Sequence, residues 1–296
     1  MRIFIRYREP RQSETVKIIN YGSKNLSYSE IQWLKDIPEN QFEQINKLYL
    51  FLNQNNISEE GVDKLGKDLI QLCNLQLLHI RVGLTQIKDQ GVVTLASYIV
   101  NLKKLQNLTV SIWENEITEK GISPFAEYIS KLVSLNQMEL FLGNNQLKDD
   151  GLTKLSEKLV SLQNLTKLNL SLWQNQINDE GLINLSSNLE NMKSLQKFYL
   201  DISSNSITDQ GIQQLGLTIQ SLKNLYLLEV LADKNKLTHD GKQQIIKLLR
   251  KSSNLKFISL NLENLIQLNS ENKKLYQSLK KGLRLIYVKT EDIIYE

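Results

Sequence analysis

Few side chains in this sequence have the chemistry of a nucleophile, a general base or a metal ligand. The chain contains one cysteine, Cys73, and two histidines, His79 and His239. A thiol and an imidazole six residues apart would make a nucleophile and its base if the fold brought them together. However, Cys73 falls between a predicted helix and a predicted strand, where we expect it to pack as a small apolar residue. His239 falls at a predicted helix start, where we expect it to lie in solvent.

Adjacent carboxylates such as Asp149 and Asp150 are the other candidates, because paired acids can act as general acid and base. They lie at a predicted helix start, where a carboxylate stabilises the helix by opposing its positive end. The sequence also has no phosphate-binding glycine loop, GxSxG motif, HExxH motif or kinase signature. We therefore expect no enzymatic activity, no cofactor and no metal ion.

The bulk composition is that of an ordinary globular protein. The chain has 296 residues, 41% hydrophobic and 23% charged, with a net charge of +4. A single cysteine excludes a disulfide within the chain and a cysteine-rich metal site. The first residues, MRIFIRYREPRQ, carry arginines where a secretory signal would be apolar. Since no run of about 18 apolar residues occurs, we expect a cytoplasmic protein that does not enter a membrane.

A strict repeat organises most of the sequence. The phrase SIWENEITEKG at 111–121 returns as SLWQNQINDEG at 171–181, and both belong to a period of 30 residues. The period is clearest in one glycine column: Gly61, Gly91, Gly121, Gly151, Gly181, Gly211 and Gly241. A second column stands six residues before each glycine: Asn55, Thr85, Asn115, Asn145, Asn175, Asn205 and Asn235. A fixed period of this length predicts a solenoid of stacked units.

Each unit contains a strand and a helix. Leu108, Val110 and Ile112 alternate with polar residues, which indicates a strand with one buried face. The segment 61–72 places Val62, Leu65, Leu69 and Leu72 on one helical face. Residues with good capping side chains precede the helices: Ser58, Thr118, Asn178, Thr208 and Thr238. Acids follow them at the positive end of the helix dipole: Glu59, Glu119, Asp179 and Asp209.

The pattern Leu105-x-x-Leu108-x-Val110-x-Ile112-x-x-Asn115-x-Ile117 resembles the leucine-rich repeat, in the ribonuclease-inhibitor-like form with a full helix per unit. The resemblance covers about residues 18–288 and implies an asparagine ladder that satisfies backbone groups at each turn. It departs from the common pattern in two ways. An extra x-Leu pair lengthens each strand by about two residues, and Thr85 replaces the asparagine in one unit. Because strands stack more closely than helices, we expect an α/β horseshoe with a concave parallel sheet and convex helices.

We expect one leucine-rich-repeat domain over residues 1–296, with regular units at 48–262. Residues 1–47 form a degenerate cap and first unit, in which Ile3 to Tyr7 is a capping strand, and Val16 to Leu48 keeps the period, pairing Ile18 with Leu48. Trp33 and Leu34 lie in the helix of that unit. Residues 263–296 form a C-terminal cap and acidic tail. A last strand, Leu283 to Val288, places Val288 thirty residues after Ile258.

The outward positions of the strands would line the concave face. Trp113 and Trp173 share one column with Gly83 and Gly143, and Phe141 stands in the next column. In one alternative, the rings lie flat over the glycines and extend the core. In the other, Phe51, Trp113, Phe141 and Trp173 form an exposed aromatic patch with His79 and Arg81 on its rim, because aromatic residues and arginine often anchor partners. The candidate partner-binding residues are Tyr49, Phe51, Arg81, Trp113, Phe141, Trp173 and Tyr199.

Charge separates the ends of the chain from its middle. Residues 241–289 hold eleven Lys or Arg against two acids, a balance of 11 − 2 = +9. This basic end would attract an acidic partner, or it consists of solvated lysines on the outer helices. No motif for reading DNA or RNA accompanies it, so we do not expect nucleic acid as the partner.

These features favour a non-catalytic scaffold that binds a protein on its concave face within a larger intracellular assembly. Similar repeats occur in axonemal subunits, so a cilium or the cytoskeleton is one expected location. The repeats also resemble those of the Ran GTPase-activating protein, which would make Arg81 a functional arginine, although that family has an acidic C-terminal region and this chain a basic one. A third alternative, a substrate receptor of a ubiquitin ligase, would need a helical adaptor-binding domain before the repeats.

Overall fold

A computed structural model describes residues 15–27, 29–31, 33–262 and the backbone of 285–288. Ten parallel strands form one sheet in sequence order, and each strand pairs only with its neighbours in the chain. The strands are β1 (Val16–Asn20), β2 (Lys47–Phe51), β3 (Leu77–Arg81), β4 (Asn107–Ser111), β5 (Gln137–Phe141), β6 (Lys167–Ser171), β7 (Lys197–Asp201), β8 (Leu227–Leu231), β9 (Phe257–Asn261) and β10 (Leu285–Val288). The fold is an α/β solenoid with a concave sheet and convex helices.

Among the described residues, seven α-helices cover the convex side, and each packs against the next. They are α1 (Ser58–Leu69), α2 (Lys88–Ile99), α3 (Glu119–Ile129), α4 (Lys148–Leu159), α5 (Asp179–Leu189), α6 (Asp209–Ser221) and α7 (His239–Arg250). The core lies between the two layers as one apolar cluster that runs along the solenoid. The predicted helical face of α1 (Val62, Leu65 and Leu69) is fully buried in it. Within the part of the chain described, no helix is long and apolar enough to cross a membrane.

The asparagine ladder joins each unit to the one before it. Asn145 accepts hydrogen bonds from the N–H groups of Asn115 and Ile117, both at 3.0 Å. Its Nδ2 donates to the carbonyls of Ile112 and Leu142, at 3.2 and 2.8 Å. Each rung therefore satisfies buried backbone groups that have left the sheet ladder. Thr85 keeps only part of this role, since its hydroxyl donates to Val82 O within its own unit.

A second ladder, made of aspartates, connects the starts of successive helices. Asp179 Oδ1 accepts from Thr208 N at 2.8 Å and from Gly211 N at 3.1 Å, and its Oδ2 accepts from the Thr208 hydroxyl. These groups belong to the next unit, where α6 begins. A Cβ at Gly211 would meet Asp179 Oδ1 at 2.5 Å. The glycine column is therefore explained in part by the carboxylate that lies against it.

Asp89, Asp149 and Asp209 repeat this contact with the helix that follows. The caps predicted at Thr118, Thr208 and Thr238 are confirmed by side-chain hydrogen bonds to the first turn. The prediction for Ser58 is wrong, because Ser58 is the first residue of α1 and has a positive φ of 58°. The side chain of Asn178 makes no capping hydrogen bond. Instead, Asp149 accepts a hydrogen bond from the backbone N–H of Asn178.

Replacing Asp179 with alanine should lower the free energy of unfolding by about 1.5 kcal/mol, as for loss of a good helix cap. The matched control is Glu119→Ala, which removes an acid from the same column. Glu119 makes no side-chain hydrogen bond to the described residues, so its loss should cost about 0.5 kcal/mol or less. Urea unfolding followed by circular dichroism measures both. Equal losses in the two variants would contradict the role given to Asp179.

The two ends depart from the 30-residue register. β1 pairs Ile18 with Tyr49 and Ile19 with Leu50, an offset of 31, so Ile19 rather than Ile18 is buried. At the other end Val288 pairs with Leu260, an offset of 28. The predicted partners of Ile18 and Val288 are therefore wrong. A shift of one residue moves a strand's side chains to the opposite face, so the N-terminal unit buries a different set.

Two further details differ from the sequence predictions. Trp33 is fully buried, but it lies with Leu34 in a 3-10 helix (Trp33–Asp36) instead of an α-helix. Cys73 is exposed, so the expectation that it packs as an apolar residue is wrong. It lies between the buried Leu72 and Leu75, and its own side chain is open to solvent. The capping strand expected at Ile3 to Tyr7 lies outside the described residues.

The concave sheet face as candidate functional site

The outward side chains of β2 to β9, with those of the turn that follows each strand, form the concave face. Inter-strand hydrogen bonds continue into that turn, for example from Gln54 N to Gly83 O and from Glu114 N to Gly143 O. This continuation matches the strand extension predicted from the extra x-Leu pair. It places Gly83, Trp113, Gly143 and Trp173 in a regular row beside the strands.

At the N-terminal end of the face, Tyr49, Phe51, His79 and Arg81 form one cluster, called here the histidine cluster. The ring of His79 lies 5.8 Å from that of Tyr49 and 5.4 Å from that of Phe51. Arg81 stacks on Phe51 at 5.1 Å, and its Nε donates to His79 Nε2 at 2.8 Å. The exposed fractions of Tyr49 and Phe51 are only 5% and 9%. The prediction that Phe51 is part of an exposed patch is therefore wrong, because His79 and Arg81 from the next strand cover it.

His79 is a neutral hydrogen-bond acceptor in this cluster. It is 3% exposed. Burial, followed by the nearby charge of Arg81, lowers the pKa of His79 to about 3. Burial also raises the pKa of Tyr49. His79 therefore lies inside the cluster instead of on its rim, and its imidazole is held as an acceptor for Arg81.

In the middle of the face each tryptophan lies on the glycine of the preceding unit. A Cβ at Gly83 would overlap the indole of Trp113, and a Cβ at Gly143 would overlap the indole of Trp173. Both indoles nevertheless stay partly exposed, as does Phe141. The structure thus combines the two alternatives: the rings lie on the glycines, and they leave apolar surface open to solvent. The repeated phrase encodes two such indole–glycine contacts, 60 residues apart.

The C-terminal part of the face is acidic. Asp201, Glu229 and Asp233 project from β7, β8 and the turn after β8, and all three are partly exposed. Burial, and then the charge of Asp201, raises the pKa of Glu229. Burial raises the pKa of Asp201, with a smaller contribution from Asp233, against hydrogen bonds from Ser203 that lower it. These three acids are called here the acidic row.

Tyr199 connects the acidic row to the middle of the face. Lys167 lies 5.5 Å from the centre of the Tyr199 ring and forms an ion pair with Glu139. Burial, with the charges of Glu229 and Glu139, raises the pKa of Tyr199. The phenol is therefore a neutral, partly buried ring on which a cation already rests.

The structure brings the seven predicted site residues together in two groups. Tyr49, Phe51 and Arg81 lie in the histidine cluster, whereas Trp113, Phe141, Trp173 and Tyr199 continue toward the acidic row. The predicted list omitted Asp201, Glu229 and Asp233. These three acids could have been found from the sequence, because the outward-facing positions of the strands become acidic in the last units. No group of three or more His, Cys, Asp or Glu among the described residues could hold a metal ion.

The chain is a parallel solenoid with one strand and one helix per 30 residues, and its regular turns carry an asparagine except at Thr85. These features define a class of repeat protein. The "Leucine Rich repeat" family model matches residues 161–186 and 199–216. The fold is that of a leucine-rich repeat solenoid, and the family model matches two of its units. No curated protein matches the chain.

Two solved structures are among those to which the chain is similar in fold. "Leiomodin-1 Actin-Binding Site 2 (ABS2)" is 15% identical, with 53% of this chain and 86% of that chain covered and a TM-score of 0.43. A chain of "Crystal structure of Rad7 and Elc1 complex in yeast" is also 15% identical, with coverage of 90% and 84% and a TM-score of 0.35.

Proposed function

We propose that this protein is a non-catalytic scaffold that binds a protein partner through its concave face. The observation that carries the proposal is the partly exposed apolar surface of Trp113, Phe141 and Trp173 in the middle of the sheet. Concave sheets of solenoids present long surfaces without chemistry of their own. Rigid aromatic rings gain much contact area and lose little side-chain entropy on binding.

The packing of the indoles on glycine supports this role. A glycine at 83 or 143 leaves room for the indole to lie against the sheet, so the ring is fixed before a partner arrives. A fixed ring costs less entropy to immobilise in a complex than a mobile one. A core-only role for the rings would not require Trp113 and Trp173 to stay partly exposed.

The finer parts of the proposal are the ribonuclease-inhibitor-like subfamily and membership of a larger cytoplasmic assembly, in a cilium or the cytoskeleton. The full α-helix in each of the seven regular units from β2 to β9 supports the subfamily. A second, acidic partner at the basic end would contact exposed cations such as Lys251, beyond which most of that end lies outside the described residues. Regulation of a GTPase through Arg81 is less well supported, since Arg81 is engaged by Phe51 and His79.

Affinity capture from native extract tests the proposal. The baits are the intact protein and a Trp113→Ala/Trp173→Ala variant whose folding is checked by circular dichroism. We expect a defined partner to bind the variant at least tenfold more weakly. The matched control is Val133→Ala/Leu217→Ala, which removes exposed apolar side chains elsewhere (57% and 44% exposed). Equal capture by the tryptophan variant and the control would overturn the proposal.

A further inference from the structure

We propose that the partner places a basic protein segment, rich in arginine, over the C-terminal half of the concave face, against Tyr199 and the acidic row. This inference deepens the proposed function and rests on it, because it takes the concave face as the binding surface. The charges, rings and hydrogen bonds on this half of the sheet all favour such a segment.

The acids of this surface have no cationic partner in the described part of the chain. Lys, Arg and His nitrogens of those residues all lie more than 4 Å from the carboxylates of Asp201, Glu229 and Asp233. Two lysines of neighbouring strands, Lys167 and Lys197, are placed elsewhere. Lys167 pairs with Glu139, and Lys197 lies 5.8 Å from the centre of the Tyr226 ring. Among the described residues, three partly buried like charges therefore share one half of the face without neutralisation.

Hydrogen bonds hold two of these carboxylates in place while leaving them room to accept more. Asp201 Oδ1 accepts from Ser203 N at 3.0 Å, and Asp233 Oδ1 accepts from the Ser203 hydroxyl at 2.7 Å. Each carboxylate can accept about four hydrogen bonds. Glu229 accepts none from a described residue. Carboxylates that are held in place and can accept further hydrogen bonds suit the guanidinium of arginine, whose N–H donors lie in one plane.

The rings beside the acids favour the same occupant. Lys167 already rests over Tyr199, and Trp173 lies one strand farther along. Arginine stacks on such rings while it pairs with carboxylates, so one side chain would use both features. Nucleic acid is disfavoured, because its phosphates would face three carboxylates. A basic protein segment satisfies the acids and the aromatic surface together.

The charge at the opposite end of the concave face indicates how the bound segment is oriented. Arg81 lies on β3, about five strand spacings from β8, or roughly 24 Å at 4.8 Å per strand. A uniformly basic partner would meet the guanidinium of Arg81 at that end. We therefore expect the basic part of the segment at β7 and β8, an apolar part over Trp113 and Trp173, and neutral or acidic residues toward β3.

Selection of random 16-residue peptides displayed on phage tests the proposal even though the natural partner is unidentified. The intact protein is the bait, and enriched peptides are synthesised and titrated by isothermal calorimetry. We expect them to carry several Arg or Lys residues next to an apolar residue. They should bind an Asp201→Asn/Glu229→Gln/Asp233→Asn variant at least tenfold more weakly, with affinity that falls as salt rises. The control is Glu119→Gln/Glu157→Gln/Glu180→Gln, which neutralises three acids on the helical side and should bind as the intact protein does.

The outcomes separate the two proposals. If the peptides lose affinity for Trp113→Ala/Trp173→Ala but keep it for the acid-neutralised variant, the concave face binds partners and the basic-segment inference falls. If neither variant loses affinity, both proposals fall. Absence of enriched basic peptides would also overturn the inference, as would tight binding of a labelled 20-nucleotide single strand to the same face. Neutral amides replace the carboxylates nearly isosterically, and circular dichroism verifies folding of each variant.

Discussion

Replacing Asn145 with alanine is expected to lower the free energy of unfolding by about 3 kcal/mol. The side chain satisfies the N–H groups of Asn115 and Ile117 and two carbonyls of neighbouring turns. Asn145 is only 5% exposed, so water cannot fully replace it. A buried backbone group left without a partner costs about 1–3 kcal/mol, and alanine orphans at least two. Urea unfolding monitored by circular dichroism gives the loss directly.

Asn205 provides the matched control for that experiment. It makes the same bonds, accepting from Asn175 N and Ile177 N, both at 3.0 Å, and donating to Leu172 O and Ile202 O. It is partly exposed, however, so water can take over some of these bonds in Asn205→Ala. We expect a loss of about 1 kcal/mol there. If the free energy of unfolding falls equally in both alanine variants, burial of the asparagine does not determine how much a rung of the ladder stabilises the fold.

The regular units were predictable because one physical constraint repeats without interruption. Every unit must bury the same strand and helix faces against its neighbours, so the glycine and asparagine columns keep their spacing from Gly61 to Gly241. The alternation around Leu108 and Val110 then assigns the faces, and both residues are buried. A period of 30 therefore predicted the order, direction and register of β2 to β9 from sequence alone.

The ends were harder to predict, because a terminal unit packs on one side only. There the spacing is 31 between β1 and β2 and 28 between β9 and β10. Lys17 lies opposite Leu48 in β1, and its amine bonds to Gln41 instead of filling the core. Such polar substitutions hide the period, so alignment by spacing placed Ile18 one position away from its true partner.

The candidate site was only partly predictable, because a column shows which side chains share a face but not how they lean. Trp113 leans toward Gly83 of the preceding unit, and a neighbouring glycine on each side made both directions possible. Phe51 is covered by Arg81, a contact between long side chains that spacing does not reveal. Likewise, Asp179 caps the next helix as well as lying at the start of its own, a contact between units 29 residues apart in sequence.

His79 should make the stability of this protein sensitive to acid. Lowering the pH from 7 to 5 should reduce the free energy of unfolding by about 2 kcal/mol more in the wild-type protein than in His79→Gln. The pKa of His79 is about 3 in the folded state, against about 6.5 in an unfolded chain. Between these values the unfolded state binds a proton that the folded state does not. The stabilisation by neutral His79 is therefore complete above pH 6.5 and is lost progressively as the pH falls toward 3.

Glutamine keeps an acceptor for Arg81 Nε while removing the titration, so the difference between the two pH profiles isolates the imidazole. The raised pKa values of Asp201 and Glu229 act in the opposite direction, because their folded forms bind protons more readily, but they are present in both proteins and cancel. His239→Gln removes the exposed histidine and serves as the control. NMR gives an independent check, since the chain has only two imidazoles. The His79 signal should not titrate between pH 8 and 5, and a midpoint in that range would show that the histidine cluster admits a proton.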